Sequence, residues 1–597
     1  MVSRSLLIAL AFVLVATAAF ASPASEGEEA AAAEKEMVRD PATGKMVTAP
    51  EYGGTITFGT ASEPPNSDPG QGHPGLYSWM FTLEKLGMAD WALDRQRNAL
   101  QSPYSPDFAI TGLLAESWEL TDPVTLTVRI RSGVHWHDKA PMNGRGLTAK
   151  DVEYNWHRYL GLGSGYTEVN PFVAQWAQVD DVGIVSVTAT DDRTVVFKLK
   201  EPNIFAERTI IHEYSTHIAP PEVIEEHGDL LDWRNLVGTG PYELTDWVEG
   251  SSLTFTKYPN YWKFDEKYPD NRLPYIDEVA WLIMPEESTR VAAFRSGQID
   301  YLGSITGSQI QSVDVVDDLK RTNPDIGVWP FFAGGASLAF NLSVEPVNDL
   351  RVRQAIQMAL DAEAINDGYW KGLANTTPQA HTSSAIAGFA PQFAEWPEEI
   401  KKFYRHNPTE AEKLLDAAGY PRGADGIRFK TNIEVRNVYD VNVYEIYAEQ
   451  LLAVGIDAEL QVMETAPWVS NINNKTYQSM TSATVANTWG QLTPLTHSVT
   501  GNAWQPGGPI ANPEYDALVA AAQNASTLEE AQKASRDALL IMLENHWYTT
   551  AGEAPIVSVS QPWLKGFNGE FDLVSVGAGA IVARIWLDPD LKKSMGF

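Results

Sequence analysis

VGTGPYELTDWVEGSSLTFTKYPNYW, residues 237–262, is the stretch on which the fold turns. Gly238-Thr239-Gly240-Pro241 makes a stiff turn. After it Tyr242 and Leu244 alternate with Glu243 and Thr245, and further on Leu253 and Phe255 alternate with Thr254 and Thr256. A period of two puts the apolar side chains on one face of a strand. Glu249-Gly250-Ser251-Ser252 joins the runs, so the spacing predicts a hairpin with a four-residue loop.

Outward from the hairpin, strands and helices are interspersed. Ile56 and Phe58 alternate with threonines and mark the start of folded sequence near Gly53. Further strands are predicted at 194–199, 278–284, 337–340 and 430–435. Thr148 with Asp151, Asn407 with Pro408 and Glu410, and Ser526 with Glu529 are helix starts, and Gly419 ends the second of these helices. Val352, Ile356, Ala359 and Leu360 recur at helical spacing and predict a helix within 349–370. That mixed order is the pattern of an α/β protein.

With 597 residues, 44% of them hydrophobic, the chain can bury more than one core. Its 44 basic and 77 acidic residues give a formal charge of −33, which repels phosphate backbones and argues against a nucleic-acid partner. Cysteine is absent, which excludes disulfides, thiolate catalysis, cysteine-ligated zinc and iron–sulfur clusters. Residues 1–21 read as a secretory signal: Arg4, an apolar core over 6–20, and the small-x-small site Ala19-Phe20-Ala21. The apolar core is shorter than the ~20 residues that span a bilayer. Residues 22–52, rich in Ala and Glu at their start, are expected to be a disordered lead-in.

Other groups recur around the hairpin. Leu114-Ala115-Glu116-Ser117-Trp118-Glu119 precedes Arg131-Ser132-Gly133-Val134-His135-Trp136-His137-Asp138 and Leu147-Thr148-Ala149-Lys150-Asp151-Val152. Leu273-Pro274-Tyr275-Ile276-Asp277-Glu278-Val279 leads to Arg290, Ala293, Gly297 and Asp300. Leu338-Ala339-Phe340-Asn341, Asp349-Leu350-Arg351-Val352-Arg353-Gln354-Ala355 and residues 410–420 follow. Together with Gly-Thr-Gly-Pro-Tyr and Asn-Tyr-Trp, these landmarks resemble, in order from Gly53 to the C-terminus, the extracellular solute-binding proteins of family 5. That family comprises the dipeptide, oligopeptide and nickel receptors of ABC transporters.

The resemblance implies a two-lobe, periplasmic-binding-protein-like α/β fold (type II, cluster C) that holds its ligand between the lobes. Residues 53–284 and 494–597 would form the first lobe and 285–493 the second, with crossings near Met284 and Thr493. It implies a monomeric periplasmic receptor that delivers a small-molecule or oligomeric solute to ABC transporter permease subunits, without cofactor or covalent chemistry. With no cysteine to carry a lipid, the mature chain would be free of the membrane.

His135-Trp136-His137-Asp138 would put two imidazoles on one strand face, a metal reading set against a plain scaffold role. His497, after Pro494, is the residue a nickel-type site would call on. There is no Gly-x-Ser-x-Gly elbow, His-Glu-x-x-His or phosphate-cradling glycine loop. The paired acids of an exported hydrolase, the alternative from another class, are a three-dimensional feature that spacing does not reveal. By likeness to the peptide-binding relatives, Tyr439, Trp468, Trp489 and Tyr77 are expected to line the cleft. Those relatives carry an Asp three residues beyond the counterpart of Trp489, where it pairs with the peptide ammonium; this chain has Leu492. Losing a charge-assisted bond of roughly 1.5–3 kcal/mol, with the stranded charge in addition, disfavours a free amino terminus. The expectation is an oligosaccharide or a peptide-like solute, with a di/oligopeptide receptor proper and then a nickel-type receptor as alternatives.

Overall fold

The computed structural model describes residues 36–597 apart from 65, 71–77, 98–99, 101–104, 171–181, 214–215, 307, 309, 311, 333, 384–385, 438, 486–490, 551 and 571–576. Residues 36–40 and 44–49 belong to a compact unit of their own, an antiparallel hairpin of Met37–Arg39 and Met46–Thr48 with Val38 opposite Val47. A short paired ladder thus stands within the lead-in that was expected to be disordered. The expected secretory signal lies outside the described residues.

Everything below belongs to the second unit. Its larger sheet has seven strands, ordered Tyr242–Val248, Ser252–Lys257, Glu278–Ile283, Thr55–Thr60, Tyr301–Leu302, Pro555–Ser560, Gly327–Phe332. The inner strands carry buried residues such as Ile56, Phe58, Val279, Trp281, Val557 and Val559. Pro330, which has no N–H to give a ladder, sits in an edge strand. The opening hairpin forms as the alternation predicts, with Leu244 opposite Phe255. Its loop is one residue shorter: Ser252 already pairs with Val248, and Gly250 takes φ +68.

A four-stranded antiparallel sheet, ordered Ala115–Asp122, Thr125–Ile130, Thr194–Leu199, Ile184–Asp191, packs against helix Ala149–Leu160. That helix begins with the expected capping box, the Thr148 N–H donating to the Asp151 carboxylate at 2.9 Å. A second four-stranded sheet, the smaller sheet below, is ordered Gly335–Phe340, Met480–Val485, Phe429–Arg436, Ile456–Met463. Helix Pro408–Ala417 is capped by Asn407 as predicted, with Gly419 at φ +95 beyond its end. Helix Leu528–Glu544 starts one residue late because Thr527, not Ser526, accepts from Glu530 N. The helix predicted within 349–370 is two, Leu350–Ala359 and Ala362–Gly368. Leu360 is extended, and the Asp361 carboxylate caps the second helix by accepting from Ala364 N.

Past Met284 the chain stays in the larger sheet through Tyr301–Leu302 and Gly327–Phe332. Past Thr493, Leu495, Tyr515, Leu539 and Tyr548 pack in one apolar cluster with Ala339 and Ala483 of the smaller sheet. The chain rejoins the larger sheet only at Pro555–Ser560. Among the described residues no helix is long and apolar enough to cross a membrane.

Candidate functional site

The motif residues of the opening stretch close around one carboxylate. Gly240 N donates to Thr82 O at 2.9 Å, and a Cβ on Gly238 would lie 1.8 Å from that oxygen, so only glycine fits there. This approach brings Glu84, which is buried, within reach of Tyr261 OH (2.8 Å), Thr239 Oγ1 (2.9 Å) and Trp262 Nε1 (3.2 Å). Burial raises the Glu84 carboxyl above its ordinary range although three donors oppose the shift. His137 is part of the same scaffold: its Nε2 donates to Gly240 O at 2.9 Å, and burial pulls it down to about 4. His135 is exposed, with Nδ1 3.1 Å from Gly133 O, so the two imidazoles do not converge.

A second arrangement forms at the carboxyl ends of strands in the smaller sheet, the edge where open α/β sheets bind ligands. Phe429–Arg436 and Ile456–Met463 run parallel and end side by side, Arg436 opposite Met463. Helix Thr465–Asn474 follows at once and carries Trp468. Tyr439 meets Trp468 edge to face at 6.1 Å, and Trp504 meets it at 5.6 Å. The Arg436 guanidinium lies 5.5 Å from the Trp468 ring centre and 5.9 Å from that of Tyr439. Its Nε donates to Thr465 Oγ1 at 3.1 Å. Among the described residues no carboxylate pairs with Arg436, although Glu434 is held by Asn471 Nδ2 (2.9 Å) and Glu464 by Asn437 Nδ2 (2.8 Å).

Two of the four expected ligand aromatics, Tyr439 and Trp468, are therefore brought together; Trp489 and Tyr77 lie outside the described residues. Trp468 is only 1% exposed, its Nε1 donating to Thr481 Oγ1 at 2.9 Å, so little of its ring is open to a ligand. Arg436 and Trp504 escape a sequence reading. The one local signal is a cation closing the strand 429–436 three residues before Tyr439.

Leu492 is buried in the apolar cluster with Leu495 and Tyr548. Beside it His381 stacks on Tyr548 at 4.4 Å, and Tyr548 OH lies 3.3 Å from Ser498 Oγ. Burial lowers His381 to about 3 and His497 to about 4, which leaves both rings neutral at ordinary pH. What these groups can do is bind: a guanidinium with no carboxylate partner among the described residues, set among aromatic rings, at the mouth of a parallel strand pair.

The model of the bacterial extracellular solute-binding proteins, family 5 Middle, matches residues 109–506. The periplasmic oligopeptide-binding protein OppA of Salmonella typhimurium is 24% identical over 493 residues, 78% of this chain and 82% of that one. The glutathione-binding protein GsiB of Pectobacterium atrosepticum is 24% identical over 481 residues, 78% of this chain and 84% of that one. Among solved structures, the periplasmic binding protein DppA from Helicobacter pylori, in complex with peptide STSA, superposes with a TM-score of 0.67 at 20% identity, covering 90% of this chain and 98% of that one. AgaA from A. tumefaciens, in complex with agropinic acid, gives a TM-score of 0.65 at 20% identity over 90% and 99% of the two chains. These neighbours share the two-lobe α/β fold, and with the family model matching well over half of its length the chain belongs to the bacterial extracellular solute-binding proteins of family 5.

Proposed function

We propose that this protein is the periplasmic receptor of an ABC importer and that its solute is peptide-like and bears a carboxylate. Arg436 is the observation that carries the ligand class. A half-buried guanidinium, one nitrogen engaged by Thr465 and none by a carboxylate among the described residues, is matched by an anionic oxygen on the solute. An oligosaccharide would draw its affinity from stacking on open aromatic faces, and Trp468 at 1% exposure offers almost none. With Leu492 in place of an acid the amino-terminal anchor is weakened, so the carboxylate end is the better anchor.

The sheet memberships support lobe junctions at 332–335 and 549–555 in place of the crossings expected near Met284 and Thr493. On this division the larger lobe is 53–332 with 555–597, and the smaller lobe is 335–549. The solute would sit where Arg436 and Tyr439 face the larger lobe, and its contacts to both lobes would favour the closed form.

Melting shifts test the ligand class. Trialanine at a hundredfold excess over its Kd should stabilise the fold by about 2.7 kcal/mol, and trialanine amide should do so far less. Arg436→Gln should weaken trialanine binding about tenfold or more, the worth of one charge-assisted bond. If maltotriose alone raised the midpoint and Arg436→Gln left that shift intact, the carboxylate reading would be wrong. Turnover of any of these compounds would overturn the receptor assignment.

A further inference from the structure

We propose that Asn375 and Glu553 form a fastening that fixes where the two lobes pivot, and so sets how far the ligand-free protein opens. The inference rests on the lobe division above but not on the identity of the solute. The two connecting segments touch. A Cβ on Gly335 would lie 1.8 Å from Gly552 O, and one on Gly552, at φ +90, would lie 2.3 Å from Asn375 O. Neither glycine tolerates a side chain, so the segments are held backbone to backbone.

On the smaller-lobe side the returning segment is gripped in steps. Thr549 N donates to Leu338 O, and Leu338 N to Thr549 Oγ1, both at 2.8 Å. Thr550 exchanges two bonds with the Gln357 side chain, at 2.7 and 2.8 Å. Asn375 is the last of these grips. It pairs with Glu553 through both backbones (2.7 and 3.1 Å), and its Nδ2 donates to Glu553 Oε2 at 2.7 Å. Two residues later Pro555 is already opposite Phe332 in the larger sheet. Ala554 is therefore the one residue between the last of these hydrogen-bonded grips and the larger sheet, and its side chain packs on the smaller-lobe core. On the other segment, Gly334 at φ +113 stands between Phe332 and Gly335. Rotation between the lobes has to be taken up by these few torsions. Without the Asn375 side chain only the two backbone bonds would hold Glu553, and this looser grip would let the lobes sample a wider range of angles.

Because the chain has no cysteine, engineered cysteines label uniquely. One dye pair, Glu249→Cys with Ala424→Cys, spans the proposed junction; a second, Ser132→Cys with Glu249→Cys, lies within the larger lobe. Single-molecule energy transfer on the ligand-free protein should show that Asn375→Ala and Glu553→Ala each shift the ratio of conformers read by the spanning pair about three- to tenfold. Glu553→Gln, which keeps an acceptor oxygen, should stay near wild type. The inner pair should not move in any of them. Wild-type distributions for the spanning pair in both alanine variants, with far-UV circular dichroism intact, would overturn the fastening. Equal changes in both pairs would instead count against the lobe division. Trialanine binding is not part of the readout, so failure of the ligand class would leave this result untouched.

Discussion

Removing the Glu84 carboxylate tests whether the signature string is scaffold. Glu84→Ala leaves Tyr261 OH, Thr239 Oγ1 and Trp262 Nε1 without their acceptor in a buried site. A stranded buried donor costs about 1–3 kcal/mol, and three that share one partner are not fully additive, so the expected loss is about 3–6 kcal/mol. That is a large part of the 5–15 kcal/mol by which a typical domain is stable. Glu84→Gln keeps one acceptor oxygen but turns an amide N–H₂ toward a donor, and should cost about 1–3 kcal/mol. The sign of the pH effect follows from burial, which raises the carboxyl in the fold. Its contribution is complete below the unfolded value near 4.5 and is lost as pH climbs through the folded value. The gap between wild type and Glu84→Gln should therefore narrow as pH rises from 4.5. Urea titrations followed by tryptophan fluorescence measure both quantities. A Glu84→Ala loss below about 1 kcal/mol with an unchanged urea dependence would refute the reasoning.

Other outcomes follow from the same kind of accounting. His137 and His497 are held at about 4 and His381 and His546 at about 3, all chiefly by burial. Near and below pH 6.5 the unfolded chain takes up protons that the fold refuses, so stability should fall between pH 6.5 and 4 by about 1.4 kcal/mol per unit and histidine at most; a melting midpoint flat from pH 6.5 to 5 would contradict this. Asp300 accepts from Trp563 Nε1 (2.7 Å), Lys592 Nζ (2.9 Å) and Thr57 N (2.8 Å), and Asp300→Ala should cost about 2–4 kcal/mol by chemical denaturation, discounted for the partial exposure of Lys592. Thr481→Val removes the acceptor of Trp468 Nε1, so the variant should be less stable by about 1–2 kcal/mol and show altered Trp468 emission against a Trp468→Phe control.

Much of the scaffold was legible because its signals are local. Alternation at Tyr242, Leu244, Leu253 and Phe255 specifies strands by itself, and the caps at Thr148 and Asn407 lie within one helical turn of what they cap. What stayed hidden is what depends on distant partners. Nothing near Glu84 says that Thr239, Tyr261 and Trp262 will surround it, because those residues come 155 to 178 positions later and the close approach of Gly238 and Gly240 to Thr82 helps to bring them there. The lobe junctions proposed above were hidden for a related reason. The strand Gly327–Phe332 looks like any other until its pairing with Pro555–Ser560 is known. Tyr439 and Trp468 were singled out by resemblance, but the contacts of Trp468 with Trp504 and Thr481 follow from no spacing rule.

The strand Pro555–Ser560 is flanked on both sides in the larger sheet, between Tyr301–Leu302 and Gly327–Phe332. One of the last strands to be synthesised is thus an interior one, and Gly327–Phe332 has no place to dock until it arrives. A nascent chain of this protein can finish the hairpin early, yet cannot close its principal sheet until nearly every residue has emerged. Five adjacent strands of that sheet are complete by Leu302, so its closure, but not its start, is a late, long-range event.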